Sequence, residues 1–499
     1  MVISWFKERE WKWNFLIAFA ARFLMYLLTP VDWDSDSYHH WQISYYTLKF
    51  GLGEGRMYDL TGSEYYWGMI PHLIQASLMW LLRVNSIQVY RIFNVVMGSV
   101  NSILVYRVAK SYYSLENARW SGLAFALFPI SVVFDSVAMQ DTIALTMVLS
   151  SLMVMRERYF VSGLLLGLAC YSRVEYTLVS VLILSGFLLR ERFQTDSQPY
   201  LFGWFLGWGA PMVHIYNSTG NPIYPLYWSL YSVFGGFTST YKGQPFVYTM
   251  YRWLSSRTYL WTATPSGLLI ILLGVTGLFL IPWMSRMKWK RYQPMLYLAS
   301  TAMVMAPLVM PYFDSERVHL LLMMRFFVPI TALGLPLLFH AVARLEGFNM
   351  FLGTSGAIRV GVIALILTGF VGLPEYITLQ GTVQNEDAIA DAISEQYTGG
   401  RIVCDLPSIV YRLSNAHGVE AEDILSNHYS PHFYSLNTSR TYLEWLSVQD
   451  VRIWTYYGER GTPVWFVMEE NYPTVFKNIM GEPGMGVYAV DRSVLDSLL

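Results

Sequence analysis

Three aspartates at every second position, Asp32, Asp34 and Asp36, stand in the stretch "VDWDSDSYHHW", directly after an apolar run. In extended backbone, residues two apart point the same way, so all three would share one face. In a helix Asp32 and Asp36 align and Asp34 turns away. Either arrangement brings at least two carboxylates together, and like charges raise one of the two pKa values. A carboxylate tuned in this way can take a proton from a hydroxyl nucleophile, which is the work of a general base. A divalent cation, Mg or Mn, on the same oxygens would also relieve the repulsion. The plainer alternative is a solvated acidic turn that caps a helix starting at "SYHHWQISYY".

Further ionisable residues stand at the ends of other apolar runs. Arg325, in "LLMMRFFVPITALGLP", could grip a lipid-linked phosphate with both arms of its guanidinium, or anchor its segment at the interface. Arg173 and Glu175, in "CYSRVEY", are a second candidate pair for that site or simply partners for other charges. Asp141 follows Gln140 at the start of an apolar run, where a helix cap, a catalytic role and a metal ligand all fit. Asp135 precedes it, and Asp314, Glu316, Arg317 and His319 share one later connection. His319 is a further site candidate, and His72 has no assigned role. His39 and His40, being adjacent, make a poor metal pair. Arg22 lies inside the first apolar run with no role the sequence supplies.

These residues have to be positioned by elements that the composition defines. Of 499 residues, 54% are hydrophobic and 14% charged, against about 25% charged in a soluble domain. Eleven apolar segments recur at 14–30, 87–108, 119–134, 142–155, 160–174, 176–190, 199–216, 264–284, 294–311, 326–343 and 358–375. A membrane span needs about 20 residues. Sixteen of the 34 basic residues fall in alternate short connections, among them "RMKWKR" at 286–291. By the positive-inside rule that face, with the N-terminus, is cytoplasmic. The assignment requires "WGMIPHLIQASLMWLL" (67–82) to lie along the interface rather than cross. No small-residue cleavage site follows the first apolar run, which is expected to be retained.

The expected fold is therefore mainly α, a polytopic membrane protein of about eleven spans. A transmembrane domain over 1–379 carries large external loops at 31–86 and 217–263. Residues 380–499 form a soluble α/β domain outside, with 7 basic and 16 acidic residues. Its β-rich runs "RIVCDL", "VRIWTYY", "PVWFVME" and "GVYAV" alternate with helical patterns such as "NEDAIADAISEQY". Sequons at Asn217 and Asn437 fall on the external side. A net charge of −1 offers no surface for nucleic acid. Cys170 and Cys404, in unlike surroundings, make no disulfide framework. No P-loop, H-E-x-x-H or paired C-x-x-C is present.

In order and sidedness, six pieces resemble the GT-C-type membrane glycosyltransferases, across residues 10–375. They are "DWDSDSYHHW", "GMIPHLIQASLMWLL", "FALFPISVVFDSVAMQDTIAL", "SGLLLGLACYSRVEY", "YNSTGNPIYP" and "RFFVPITALGLP". The resemblance implies a polyprenyl- or dolichyl-phosphate-linked sugar donor and a glycan, lipid or protein acceptor on the external or lumenal face. It also implies a plasma or ER-type membrane. A first-loop aspartate would activate the acceptor, which selects Asp36 and Asp34. "DSYHH" resembles the D-P-Y-Y-H form of oligosaccharyltransferase catalytic subunits, which favours Asp36. Arg325, with Arg173, would hold the donor phosphate; Asp141, Glu175 and His319 are additional candidates. Asp34, Asp36 and Asp141 could share a metal. The chain lacks the W-W-D motif of those subunits, which argues against transfer of a whole oligosaccharide to asparagine. Charges clustered at span ends and the lack of matching halves disfavour a lipid or solute transporter; a non-catalytic scaffold is the third reading.

Overall fold

A computed structural model describes residues 10–33, 35–51, 68–155, 157–173, 176–177, 179–181, 183–184, 197–227, 325, 327–346, 355–372, 374, 377, 380–404, 406–425, 439–457, 472–482 and 485–499. The expected spans at 264–284 and 294–311 lie outside these residues, as do "RMKWKR", "PVWFVME", Asn437 and the external loop beyond 227. The chain forms two compact units. One comprises Met1–Pro30, Tyr65–Pro71 and Arg91–Ile377, and the other Val31–Glu64, His72–Tyr90 and Thr378–Leu499.

In the first unit, helix α1 (Glu10–Leu28) buries Asn14, Ala18, Arg22 and Met25 at helical spacing. Trp13, Leu16, Phe23, Leu24, Leu27 and Leu28 are exposed. A helix that is apolar on its outer face too is one solvated by lipid. Its 19 residues extend about 28 Å at 1.5 Å each. Between α1 and the next apolar run the sequence forms two helices, α2 (Ser35–Phe50) in the second unit and α3 (Ile70–Leu82), which belongs to that unit from His72 onward. At 13 residues, α3 reaches only about 20 Å, too short to cross a core of about 30 Å. Its end exposes Trp80, Leu81 and Leu82.

Helix α4 (Ile87–Tyr112) is, among the described residues, the one helix long and apolar enough to cross a membrane by length and composition. The apolar run at 119–134 is two helices rather than one, α5 (Leu115–Ala126) and α6 (Pro129–Phe134). Pro129 lacks an N–H and forces its predecessor out of the helical region, so Phe128 sits at φ −70°, ψ 113°. Helices α7 (Asp141–Val154) and α8 (Tyr159–Ser172) form a hairpin. It is clasped by Ser151 Oγ donating to Ser162 O and Ser162 Oγ donating to Ser151 O, each at 2.8 Å.

Helix α9 (Ser197–Thr219) packs on α8 through facing small residues. Gly163 and Gly167 on α8 meet Gly203 and Gly207 on α9, a reciprocal Gly-x-x-x-Gly contact. A Cβ at Gly163 would land on the carbonyl of Tyr200, and one at Gly203 on that of Phe160. Backbone cannot yield as a side-chain tip can, so Gly203→Leu is expected to cost at least the 1–3 kcal/mol or so typical of overpacking. The check is a lowered unfolding temperature in detergent, with loss of the monodisperse elution peak. Among the described residues this unit also contains helices α10 (Phe327–Glu346) and α11 (Ser355–Thr368), and α10 packs on α5. Arg359 of α11 pairs with Glu116 of α5.

The second unit contains a five-stranded sheet in the order β2-β1-β3-β5-β4. Its strands are β1 (Arg401–Val403), β2 (Ile424–Leu425), β3 (Val451–Tyr457), β4 (Phe476–Glu482) and β5 (Met485–Val490). β1 runs parallel to β2 and β3, while β5 is antiparallel to β3 and β4. Helices α12 (Gln380–Gln396), α13 (Pro407–Ala416), α14 (Ser439–Val448) and α15 (Arg492–Leu498) accompany it. Trp454 anchors the core among Tyr442, Leu446, Phe476 and Val490. Its indole N–H donates to Tyr442 Oη at 2.8 Å, so a large apolar ring is buried without stranding its polar atom. Neither Cys170 nor Cys404 is in a disulfide, and both are buried.

Candidate active site

The site residues of the first unit gather around the connection between α6 and α7. Helix α4 builds that connection from one face. Arg91, Asn94 and Asn101 recur at helical spacing and donate to backbone carbonyls of the connection and of α7's first turn. Arg91 Nε reaches Ser136 O at 2.9 Å, and Asn94 Nδ2 reaches Val137 O at 2.8 Å and Met139 O at 2.7 Å. Asn101 Nδ2 reaches Thr142 O at 3.0 Å. Arg91 also holds the end of α1 through Pro30 O at 3.1 Å. A buried, non-helical stretch satisfies its carbonyls this way in place of water.

A second clamp comes from α1. Arg22 Nε donates to Asp135 Oδ2 at 2.8 Å, and its other nitrogens reach Ser131 Oγ, Ala126 O and Ala18 O. Asp135 in turn accepts from Ser131 Oγ at 2.8 Å and Thr142 Oγ1 at 2.6 Å. This accounts for Arg22 and commits Asp135 to structure. The signal was available in sequence, since opposite charges inside apolar runs usually pair.

Asp141 stands in the first turn of α7, where a negative charge suits the helix dipole. It is not the cap: Gln140 holds that position and makes no side-chain cap bond. Asp141 Oδ2 instead lies 3.6 Å from Arg173 Nη1, with both side chains buried. Arg325 is buried as well, its Nη1 3.9 Å from Met139 Sδ. Arg173 and Arg325, 152 positions apart in sequence, thus approach residues 141 and 139 of one short segment.

In the second unit, Asp36 lies in the first turn of α2, partly exposed. Asp32 is fully buried, and its carbonyl accepts from Tyr38 Oη at 3.0 Å. His40 and His72, both buried, approach at 3.1 Å between Nδ1 and Nε2. One ring nitrogen must donate and the other accept, so they are partners in the α2–α3 packing. Ser44 Oγ adds a bond to Gln75 Oε1 at 2.9 Å. Burial raises the Tyr45 phenol, and Glu420 and Glu422 add to the effect. Burial likewise raises the Glu386 carboxyl, against the pull of Ser408 and Arg412.

Asp34, Glu175 and His319 lie outside the described residues. Among those described, no three His, Cys, Asp or Glu side chains converge as a metal site would require.

Residues 69–215 match the family model described as dolichyl-phosphate-mannose-protein mannosyltransferase. No curated protein sequence gives a significant match. Among solved structures, ArnT from Cupriavidus metallidurans bound to undecaprenyl phosphate is similar over 96% of this chain and 98% of its own, with TM-score 0.59 and 12% identity. The oligosaccharyltransferase of Archaeoglobus fulgidus in its apo form is similar over 91% of this chain and 70% of its own, with TM-score 0.51 and 11% identity. The archaeal oligosaccharyltransferase AglB from Archaeoglobus fulgidus, in complex with an inhibitory peptide and a dolichol-phosphate, is similar over 98% of this chain and 75% of its own, with TM-score 0.50 and 10% identity. The solved structures give the fold, that of polytopic GT-C membrane proteins, and the family match falls on residues 69–215, which carry α4 to α8 and most of α9.

Proposed function

We propose that this enzyme takes one sugar from a polyprenyl- or dolichyl-phosphate donor and transfers it, with inversion, to an acceptor hydroxyl on the external or lumenal face. The N-terminus then lies in the cytoplasm and residues 380–499 lie outside. What supports the donor class is the approach of two buried guanidiniums, Arg173 and Arg325, to the Met139–Asp141 segment. A guanidinium meets the charge of a phosphate with two parallel N–H donors. ArnT and AglB, with their bound polyprenyl and dolichol phosphates, point the same way.

In this reading the acceptor oxygen attacks the anomeric carbon while the bond from that carbon to the phosphate oxygen breaks. The bonding pair leaves with the lipid phosphate, and the acceptor proton passes to the Asp36 carboxylate, with Asp34 as its partner. A single displacement inverts the centre and needs one base; retention would need a second carboxylate as nucleophile. Arg325, with Arg173, stabilises charge building on the leaving phosphate. Asp141 holds Arg173 in place.

The test is purified protein in liposomes given dolichyl-phosphate [14C]mannose and an acceptor panel of a Ser/Thr-rich peptide, a short glycan and a glycolipid. Label joined to an acceptor supports the reading. Label crossing the bilayer without a new bond makes the protein a transporter, and neither outcome makes it a scaffold. Arg325→Met is expected to lower kcat by about 10²–10³, the range for loss of one charge-stabilising donor group. An unchanged kcat would remove Arg325 from the phosphate site.

A further inference from the structure

The C-terminal domain grips the helix that carries Asp36. Helix α2 turns Tyr38, Trp41, Tyr45 and Lys49 to one side, at the three- and four-residue spacing of a single helical face. Tyr411 of α13 fits against that face. Its ring centroid lies 5.3 Å from that of Tyr38 and 4.8 Å from that of Trp41, edge-on to the indole at 88°. Tyr411 Oη is 3.2 Å from Ser86 Oγ. Arg412, the next residue, stacks on Tyr38 with its guanidinium carbon 5.7 Å from the ring centroid. It is fixed there by Asp387, by Glu386 at 3.5 Å and by Ser408 O at 3.0 Å. Further along, Lys49 pairs with Glu420 at 3.7 Å.

The opposite side of α2 is tied to α3 through His40 and Ser44. Trp41 Nε1 also donates to Asn85 O at 2.7 Å. An aromatic wedge on one side and polar bonds on the other leave α2 little freedom to roll or slide. Tyr38 is two residues from Asp36 and bonds back to Asp32, so the wedge acts on the turn that bears the carboxylate.

We propose that Tyr411 and Arg412 are positioning residues, by which the C-terminal domain braces α2 and sets Asp36 for the transfer. The proposal rests on Asp36 being the base. Misplacing a reacting group by about 1 Å costs on the order of 10²-fold in rate, so a loosened α2 should be slow without being unfolded.

The test uses full-length protein in detergent micelles and two Tyr411 variants. Tyr411→Ala should speed amide hydrogen exchange across 35–50 and leave exchange across 159–172 unchanged. It should lower kcat by about 10²-fold in the labelled-mannose assay, while affinity for undecaprenyl phosphate alone is unaltered. Tyr411→Phe, which keeps the wedge and loses only the contact with Ser86, should restore both protection and most of the rate. Unchanged exchange across 35–50 in Tyr411→Ala overturns the brace. Faster exchange with an unchanged kcat overturns its link to the reaction. A fall in undecaprenyl-phosphate affinity that parallels the fall in kcat reduces Tyr411 to a folding residue. Failure of the base assignment would show separately, as an active Asp36→Asn enzyme whose α2 exchange still responds to Tyr411→Ala.

Discussion

Asp36→Asn should reduce transfer by about 10²–10⁴-fold, the contribution expected of a positioned general base. The amide is close in size and shape to the carboxylate and differs in what matters here: it cannot accept the acceptor's proton. Little else should change. Asp36 is partly exposed in the first turn of α2, whereas Asp135 is buried against Arg22. Its charge at a helix N-terminus contributes only about 0.3–1 kcal/mol, so the variant should express and unfold much as the parent does. Initial rates with labelled donor, beside an unfolding curve for each protein, make the check. Full activity in Asp36→Asn would move the base to Asp34, and full activity in both single variants would end the general-base reading. If the amide variant lost donor affinity along with rate, Asp36 would be acting on the donor rather than on the acceptor.

How much of this was legible in sequence depends on how far apart the interacting residues lie. Periodicity and charge placement act over one turn of helix or one connection. α1, α4, α7, α8, α9, α10 and α11 therefore fall within a few residues of their apolar runs. β1, β3 and β5 lie in three of the expected β-rich stretches for the same reason. Pro129 breaks the run at 119–134 by a local rule that the hydropathy of the run conceals. The small residues at 163, 167, 203 and 207 have a recognisable spacing. What the spacing withholds is that the two pairs face each other.

The site was legible in part, and the boundary is again physical. Residue type pointed to Asp36, Asp141, Arg173 and Arg325, because charge beside lipid is costly and seldom idle. Which of them pair is a tertiary fact. Arg173 meets Asp141 while Asp135, six residues earlier, is taken by Arg22. Asn94 and Asn101, which shape the connection below Asp141, carry no charge and look like ordinary polar residues of a span. Tyr411 and Arg412 are hardest to foresee, since 370 positions separate Tyr411 from Trp41.

Arg22→Met should be the most damaging single change to stability in the transmembrane unit, at about 3–5 kcal/mol, the usual result of removing one partner from a buried ion pair. The guanidinium satisfies Asp135, Ser131 and two backbone carbonyls at once, so its loss strands a carboxylate and leaves several polar atoms without a donor. The surroundings cannot close over the gap. A Cβ at Gly98 would already collide with the Asp135 carboxyl, which shows how tightly α4 presses on the pair. Most of the cost comes from the uncompensated charge and not from the lost attraction, so Arg22→Met combined with Asp135→Asn should recover a large part of it. Coupling between contacting residues of this kind runs to about 0.5–3 kcal/mol. Unfolding temperatures of the two single variants and the double variant in one detergent measure that coupling; additive losses would mean the pair acts as two independent packing residues. Thr142 Oγ1 donates to Asp135 beside Asp141. Affinity for undecaprenyl phosphate should therefore fall in Arg22→Met and return in the double variant, because what the network fixes is the start of α7 on which Asp141 meets Arg173.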